Sequence, residues 1–372
     1  MNPLQQLQAL GQSPWQDNIS RDQLLSGELA HAVGAGDVTG LTSNPTIFQN
    51  AIAGSDDYDE SIGLYAQRDM GTEDIFYSLA SEDIQEAADI FLPVYERSSG
   101  SDGFVSLEVS PRLAYETEAT VRDALQLWQR VDRPNLMIKI PGTRAGLDAI
   151  TAAVSAGVNV NVTLIFSVQR YAEVMDAYMD GLEQRLGRGE EIVKLASVAS
   201  FFVSRLDTLV DARLDELAAT HPEASKMKGA TAIANARLAY DLFRQTTASP
   251  RWDSLSAAGA RVQRPLWAST STKNPQYRDV FYVESLIGRD TVNTMPPHTL
   301  EAFKQHGHAK RTITLGLDDA RTHMARLSQL GVDMSSITDT LESLGVAAFA
   351  DSFDELLAVI EKRSQILVQE RT

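Results

Sequence analysis

The stretch 158–187, "VNVNVTLIFSVQRYAEVMDAYMDGLEQRLG", changes its apolar period part-way. Up to Phe166 the apolar residues alternate or run together, as in a strand. Beyond Ser167 they recur at helical spacing, with Tyr171, Val174, Met175, Tyr178 and Leu182 on one face and Ser167 placed as the cap. A strand followed by a helix is the unit of a parallel α/β fold.

The unit recurs along the chain. Segments 37–44, 103–110, 135–141, 158–166, 191–200 and 264–271 read as strands, with weaker candidates in "PWQDNI" near position 15 and "DTVNTM" at 290–295. Helical patterns such as "TEATVRDALQLWQRV" and "AGLDAITAAVSAG" lie between them. Eight strand candidates favour a (β/α)8 TIM barrel over an open sheet. After residue 310 no strand is evident, and "SFDELLAVIEKRSQILV" puts Phe353, Leu356, Leu357 and Ile360 on one stripe. The expected organisation is one barrel domain over 1–372, with a helical C-terminal extension from about 310 to 372.

The 372 residues are 43 % hydrophobic and 22 % charged, the balance of a soluble globular chain. A net charge of −17 argues against nonspecific binding to nucleic acid or anionic membranes, although a few local cations still suffice for one phosphate. The absence of cysteine removes disulfides, thiolate metal sites and a thiol nucleophile. The opening "MNPLQQLQALGQSP" has neither a basic segment nor a long apolar core, and no apolar run reaches the ~18 to 20 residues that span a bilayer. A cytoplasmic location is the expectation.

Alternation divides each strand into two faces. Val105, Leu107 and Val109 oppose Ser106, Glu108 and Ser110; Leu136, Ile138 and Ile140 oppose Met137 and Lys139; Val158, Val160, Val162 and Leu164 oppose Asn159, Asn161 and Thr163. With the apolar sets turned to the surrounding helices, Glu108, Lys139, Asn161 and Thr163 converge inside the barrel, where such folds place their active sites. Taken singly, each has an ordinary reading: a lysine that snorkels to an edge, an ion-pair partner, two strand hydrogen-bonders. Together on neighbouring strands they point to chemistry.

Other motifs fail. "GAGDVTG" at 34–40 has Thr39 in the third glycine position of a dinucleotide fingerprint, and there is no Walker A loop or G-x-S-x-G elbow. The six histidines show no metal spacing, and His298, His306 and His308 read as surface or structural. No metal or cofactor is therefore expected. A lysine inside a barrel has a use of its own: burial disfavours an ammonium, and a neutral amine attacks a carbonyl to form a Schiff base.

In these motifs the sequence closely resembles the transaldolases, class I Schiff-base enzymes of the pentose phosphate pathway. The matching stretches run in family order: "WQDNI" with Asp17, "GLTSNPTIF" with Asn44, "VSLEV" with Glu108, "MIKIPGT" with Lys139, "NVTLIFS" with Asn161 and Thr163, "SFFVSR" with Ser200 and Arg205, and "STKN" with Lys273. They span about residues 15 to 275; the C-terminal region adds no sharp motif.

The resemblance implies transfer of a dihydroxyacetone unit from fructose 6-phosphate or sedoheptulose 7-phosphate to glyceraldehyde 3-phosphate or erythrose 4-phosphate. It implies Lys139 as the imine-forming residue, Glu108 with Thr163 and a held water as proton shuttle, and Asp17 as the base for carbon–carbon cleavage. Asn44 and Asn161 would hold the hydroxyls of the retained unit, and Ser200, Arg205 and Lys273 the phosphate. Lys273 departs from the better-known branch, which has arginine there; a lysine keeps the charge but loses the bidentate fork.

Two alternatives stand beside this reading. Fructose 6-phosphate aldolase, which releases free dihydroxyacetone, has tyrosine at the position of Phe202 and glutamine at that of Glu108. A silent binding barrel would have lost Lys139, Asp17 or Glu108. The sequence leaves monomer and homodimer both open.

Overall fold

The computed structural model describes residues 1–369. Eight strands close on themselves in sequence order, all parallel: β1 (Gln12–Asp17), β2 (Gly40–Thr42), β3 (Val105–Glu108), β4 (Leu136–Pro141), β5 (Val160–Ile165), β6 (Ser197–Phe202), β7 (Gln263–Ala268) and β8 (Thr291–Met295). This is a (β/α)8 barrel. Both weakly marked segments are strands, and their pairing, Gln12↔Thr291 through Gln16↔Met295, closes the ring.

The strand–helix unit forms as its periodicity dictates. Ser167 caps the helix Val168–Gly187 by accepting from the Arg170 amide at 3.0 Å, and Tyr171, Val174, Met175, Tyr178 and Leu182 are all buried. Their face packs on the outer side of the sheet, where Phe201 meets Tyr171 on one side and Trp267 on the other. Gly40 is required by close approach: a Cβ there would lie 2.4 Å from the indole of Trp15, which is fully buried and donates to Asp102 at 2.8 Å.

Two expectations fail locally. Leu164 does not continue the helix-facing set of β5. Its φ is +59°, and between Val162↔Ala199 and Ile165↔Phe201 two residues, Thr163 and Leu164, oppose the single Ser200. This is a bulge, and a branched side chain in the left-handed region is strained. Segment 191–200 is shifted, because Ile192 and Leu195 are buried in the approach to the strand and β6 itself begins at Ser197.

Beyond β8 come the helices Pro297–His306, Leu317–Gln329 and Met334–Gln369, with no strand among the described residues there. The last helix runs across the mouth of the barrel. Phe353, Leu356 and Ile360 of the expected stripe are buried, whereas Leu357 is only half-buried. Arg363 fastens it by donating to the Ser55 carbonyl at 2.6 Å and to Asp59 at 2.9 Å.

Candidate active site

The strand register aligns three inward side chains in one layer. Glu108 pairs with Lys139 across β3 and β4, and Lys139 with Asn161 across β4 and β5. Lys139 Nζ lies 3.1 Å from Glu108 Oε2 and donates to the Ser43 carbonyl at 3.1 Å, with both charged side chains almost wholly buried. Burial pushes the Glu108 carboxyl above its usual range; the Lys139 ammonium pulls it back and the Asp17 charge adds to the rise. Lys139 is thus held in an ion pair.

A cavity of about 440 Å³ opens at the C-terminal ends of the strands. Asp17, Asn44, Lys139, Thr163, Ser200, Arg205 and Lys273 all line it. Asp17 ends β1 and accepts from the Thr42 hydroxyl at 2.6 Å. Burial raises its carboxyl too, against the pull of Lys139, Thr42 and Lys273. Asn44 is the cap of the helix Pro45–Gly54, its Oδ1 accepting from the Ile47 amide at 3.0 Å, which leaves its amide hydrogens for the cavity.

Asn161 sits deeper and does not line the cavity. It donates to Ser106 at 3.0 Å and accepts from Ser200 at 2.7 Å, a hydrogen-bonded row across the barrel. Ser200 therefore spends its proton on Asn161 in this arrangement. Glu108 also lies behind the cavity wall and reaches it through Lys139. Thr163 Oγ1 and Glu108 Oε1 are buried without a protein hydrogen-bond partner.

The far end of the cavity is cationic. Arg205, in the first turn of the helix Ser204–Leu217, pairs with no acid among the described residues. Asp207, the obvious partner, instead accepts from the Ala232 amide and the Tyr282 hydroxyl. The guanidinium lies 5.7 Å from the Phe202 ring centroid, and burial lowers its pKa. Lys273 stands on the rim, donating to Ser271 at 3.0 Å; partial burial and then Arg205 push its amine down. Two cations held at some cost beside a helix start form a fitting seat for a phosphate.

Sequence reasoning missed several lining residues. Thr42 shares the inward parity of "GLTSN", which a parity count over that segment would have found. His298 lines the rim, exposed, so its surface reading holds but its place at the cavity mouth was not foreseen. His306 pairs with Asp279 at 2.9 Å, away from the cavity. Phe349 enters from the C-terminal helix, and no strand pattern signals it. Among the described residues no group of three His, Asp or Glu side chains is arranged to hold a metal, and no helix is long and apolar enough to cross a membrane.

Residues 14–360 match the family model for transaldolase/fructose-6-phosphate aldolase. The chain belongs to this family. It is 51 % identical over 362 residues to a transaldolase of Parafrankia sp. (strain EAN1pec), covering 97 % of this chain and 98 % of that one. It is 50 % identical over 357 residues to a transaldolase of Thermobifida fusca (strain YX), covering 96 % of each. A transaldolase of Mycobacterium tuberculosis (strain CDC 1551 / Oshkosh) is 47 % identical over 359 residues, again covering 96 % of each. The family match extends through most of the residues of the mouth-crossing helix.

Proposed function

We propose that this chain is a transferase of the transaldolase type, moving a dihydroxyacetone unit between sugar phosphates through an imine on Lys139. The observation that carries the reading is one arrangement: a buried lysine–glutamate pair opening onto a cavity that ends in two cations.

Glu108, already biased by burial toward its protonated form, takes the Lys139 proton. The amine adds to the ketose carbonyl, and the carbinolamine loses water with proton transfers through Glu108 and Thr163, whose free oxygens suit that work. Asp17, across the cavity and with a raised pKa, accepts the hydroxyl proton as the bond between the third and fourth carbons breaks. The electrons pass to the iminium and give an enamine. Asn44 offers its amide to the retained hydroxyls, with Asn161 supporting from below through Ser200. Arg205 and Lys273 hold the phosphate of donor or acceptor, with Ser200 beside them. An aldose phosphate then adds to the enamine and the steps reverse.

Fructose 6-phosphate and sedoheptulose 7-phosphate fit as donors, glyceraldehyde 3-phosphate and erythrose 4-phosphate as acceptors. Glu108 and Phe202, with relatives named transaldolase across nearly the whole chain, favour transfer over release. Every group named comes from one chain, which suits a monomer or a homodimer alike, and a cytoplasmic setting suits the substrates. The helices wrapped on one closed barrel support a single domain with a helical extension from about 310; its last three residues lie outside the described ones.

The test is formation of sedoheptulose 7-phosphate from fructose 6-phosphate and erythrose 4-phosphate. Wild type should make it and Lys139→Met, folded, should not. Transfer by that variant would sink the assignment.

A further inference from the structure

The mouth-crossing helix places three residues at one-turn spacing over the site: Gly345, Phe349 and Phe353. Gly345 lies against Leu164, so closely that an added Cβ would stand 2.8 Å from its side chain. Leu164 is the strained residue of the β5 bulge, next to Thr163. Phe353 is fully buried on the edge of Phe76. Between these two anchors Phe349 is aimed into the cavity, buried, with its ring centroid 5.5 Å from Lys139 Nζ. The residues Thr46 and Ser352, hydrogen-bonded at 2.8 Å, clamp the helix to the barrel beside it.

We infer that Phe349 is the shield that keeps water from the lysine-bound three-carbon unit and so directs this chain toward transfer rather than release. The inference rests on the Lys139 reading above. After cleavage the enamine has two fates. In one, its nucleophilic carbon bonds to the acceptor aldehyde, whose oxygen takes up a proton. In the other, that carbon is protonated; water then adds to the iminium carbon, and the carbinolamine collapses to free dihydroxyacetone and the lysine amine. Both fates end with water hydrolysing an iminium on Lys139, to give the longer ketose in the first and dihydroxyacetone in the second; only the second needs a proton delivered to the enamine carbon. An apolar ring fixed at the amine by a helix anchored on both sides occupies space from which a bulk water would protonate the enamine carbon before the acceptor arrives, and leaves the Arg205–Lys273 end open to the acceptor.

The experiment measures the ratio of free dihydroxyacetone released to sedoheptulose 7-phosphate formed, in wild type and in Phe349→Leu, Phe349→Val and Phe349→Ala. Fructose 6-phosphate is the donor, with erythrose 4-phosphate as acceptor. The ratio should rise as the side chain shrinks, staying within about threefold of wild type for leucine and exceeding tenfold for alanine. The graded series keeps the test alive if the alanine variant does not fold, because leucine and valine retain apolar bulk. A slower enzyme with an unchanged ratio is a merely structural effect and overturns the shield. A ratio as high in leucine as in valine or alanine also overturns it. Borohydride labelling of Lys139 in wild type is run alongside; its failure would strike the imine reading itself and is read separately.

Discussion

Replacing Lys139 by methionine should make stability depend on pH more steeply than in wild type. The change keeps most of the apolar stem and removes the cation 3.1 Å from Glu108, in a pair whose side chains are 6 % and 3 % exposed. Breaking a buried pair by deleting one partner costs about 3–5 kcal/mol while the other stays charged. Glu108 escapes that cost by holding a proton. Its carboxyl is already raised from an ordinary value of 4.5 by burial, and loss of the Lys139 charge, the largest opposing influence, raises it further. Asp17, also raised by burial and also drawn down by Lys139, moves in the same direction.

The sign follows from proton counting. Between the unfolded and the higher folded pKa the folded state binds more protons, so stability is full below the unfolded value and is lost as pH rises through the folded one. Each pH unit inside that window costs about 1.4 kcal/mol per group. At pH 5 the variant should therefore approach wild type, and at pH 8 it should bear most of the ~3–5 kcal/mol penalty. With an unfolding entropy of about 2.1 cal/mol/K per residue, this chain has roughly 0.8 kcal/mol/K, so the penalty appears as about 4–6 °C in Tm. Thermal unfolding of both proteins at pH 5 and pH 8 provides the assay. A gap in Tm that is equal at the two pH values would refute the electrostatic coupling of Lys139 with Glu108.

Three further outcomes are expected. Asp17→Asn should lower kcat by about 10²–10⁴, the usual worth of a general base, yet still form the imine. Borohydride trapping with fructose 6-phosphate should then leave a six-carbon adduct in place of a three-carbon one, and a three-carbon adduct would remove Asp17 from cleavage. Lys273→Arg should lower KM for the phosphorylated substrates by about two- to tenfold, because the fork can hold two phosphate oxygens; an unchanged KM would take Lys273 out of the phosphate seat. Gly40→Ala should destabilise by about 1–3 kcal/mol, since its Cβ meets the fixed Trp15 indole. Urea unfolding measures this, and an unchanged midpoint would show that the indole yields.

How much of this was legible depends on the element. Parity alone assembled Glu108, Lys139 and Asn161, because alternation is a local property and these strands are regular. It failed at Leu164, where a bulge inserts one residue and reverses the faces beyond it, and nothing in "NVTLIF" marks an extra residue. It could not distinguish lining the cavity from supporting it, so Asn161 was expected at the substrate and lies a layer below. Phe349 was invisible for a different reason. Its helix shows an apolar stripe, but which of the stripe's residues meets Lys139 is set by how the helix crosses the barrel mouth, a tertiary fact. Arg205 was legible as a cation, while its freedom from Asp207 depended on Ala232 and Tyr282 claiming that acid first.

The central claim is that Lys139 carries the transferred unit as an imine. It is tested most directly by borohydride reduction with fructose 6-phosphate, followed by peptide mass mapping. The account predicts a three-carbon adduct on the peptide containing Lys139 and on no other lysine. Folded protein that gains no adduct, or gains it elsewhere, would contradict it.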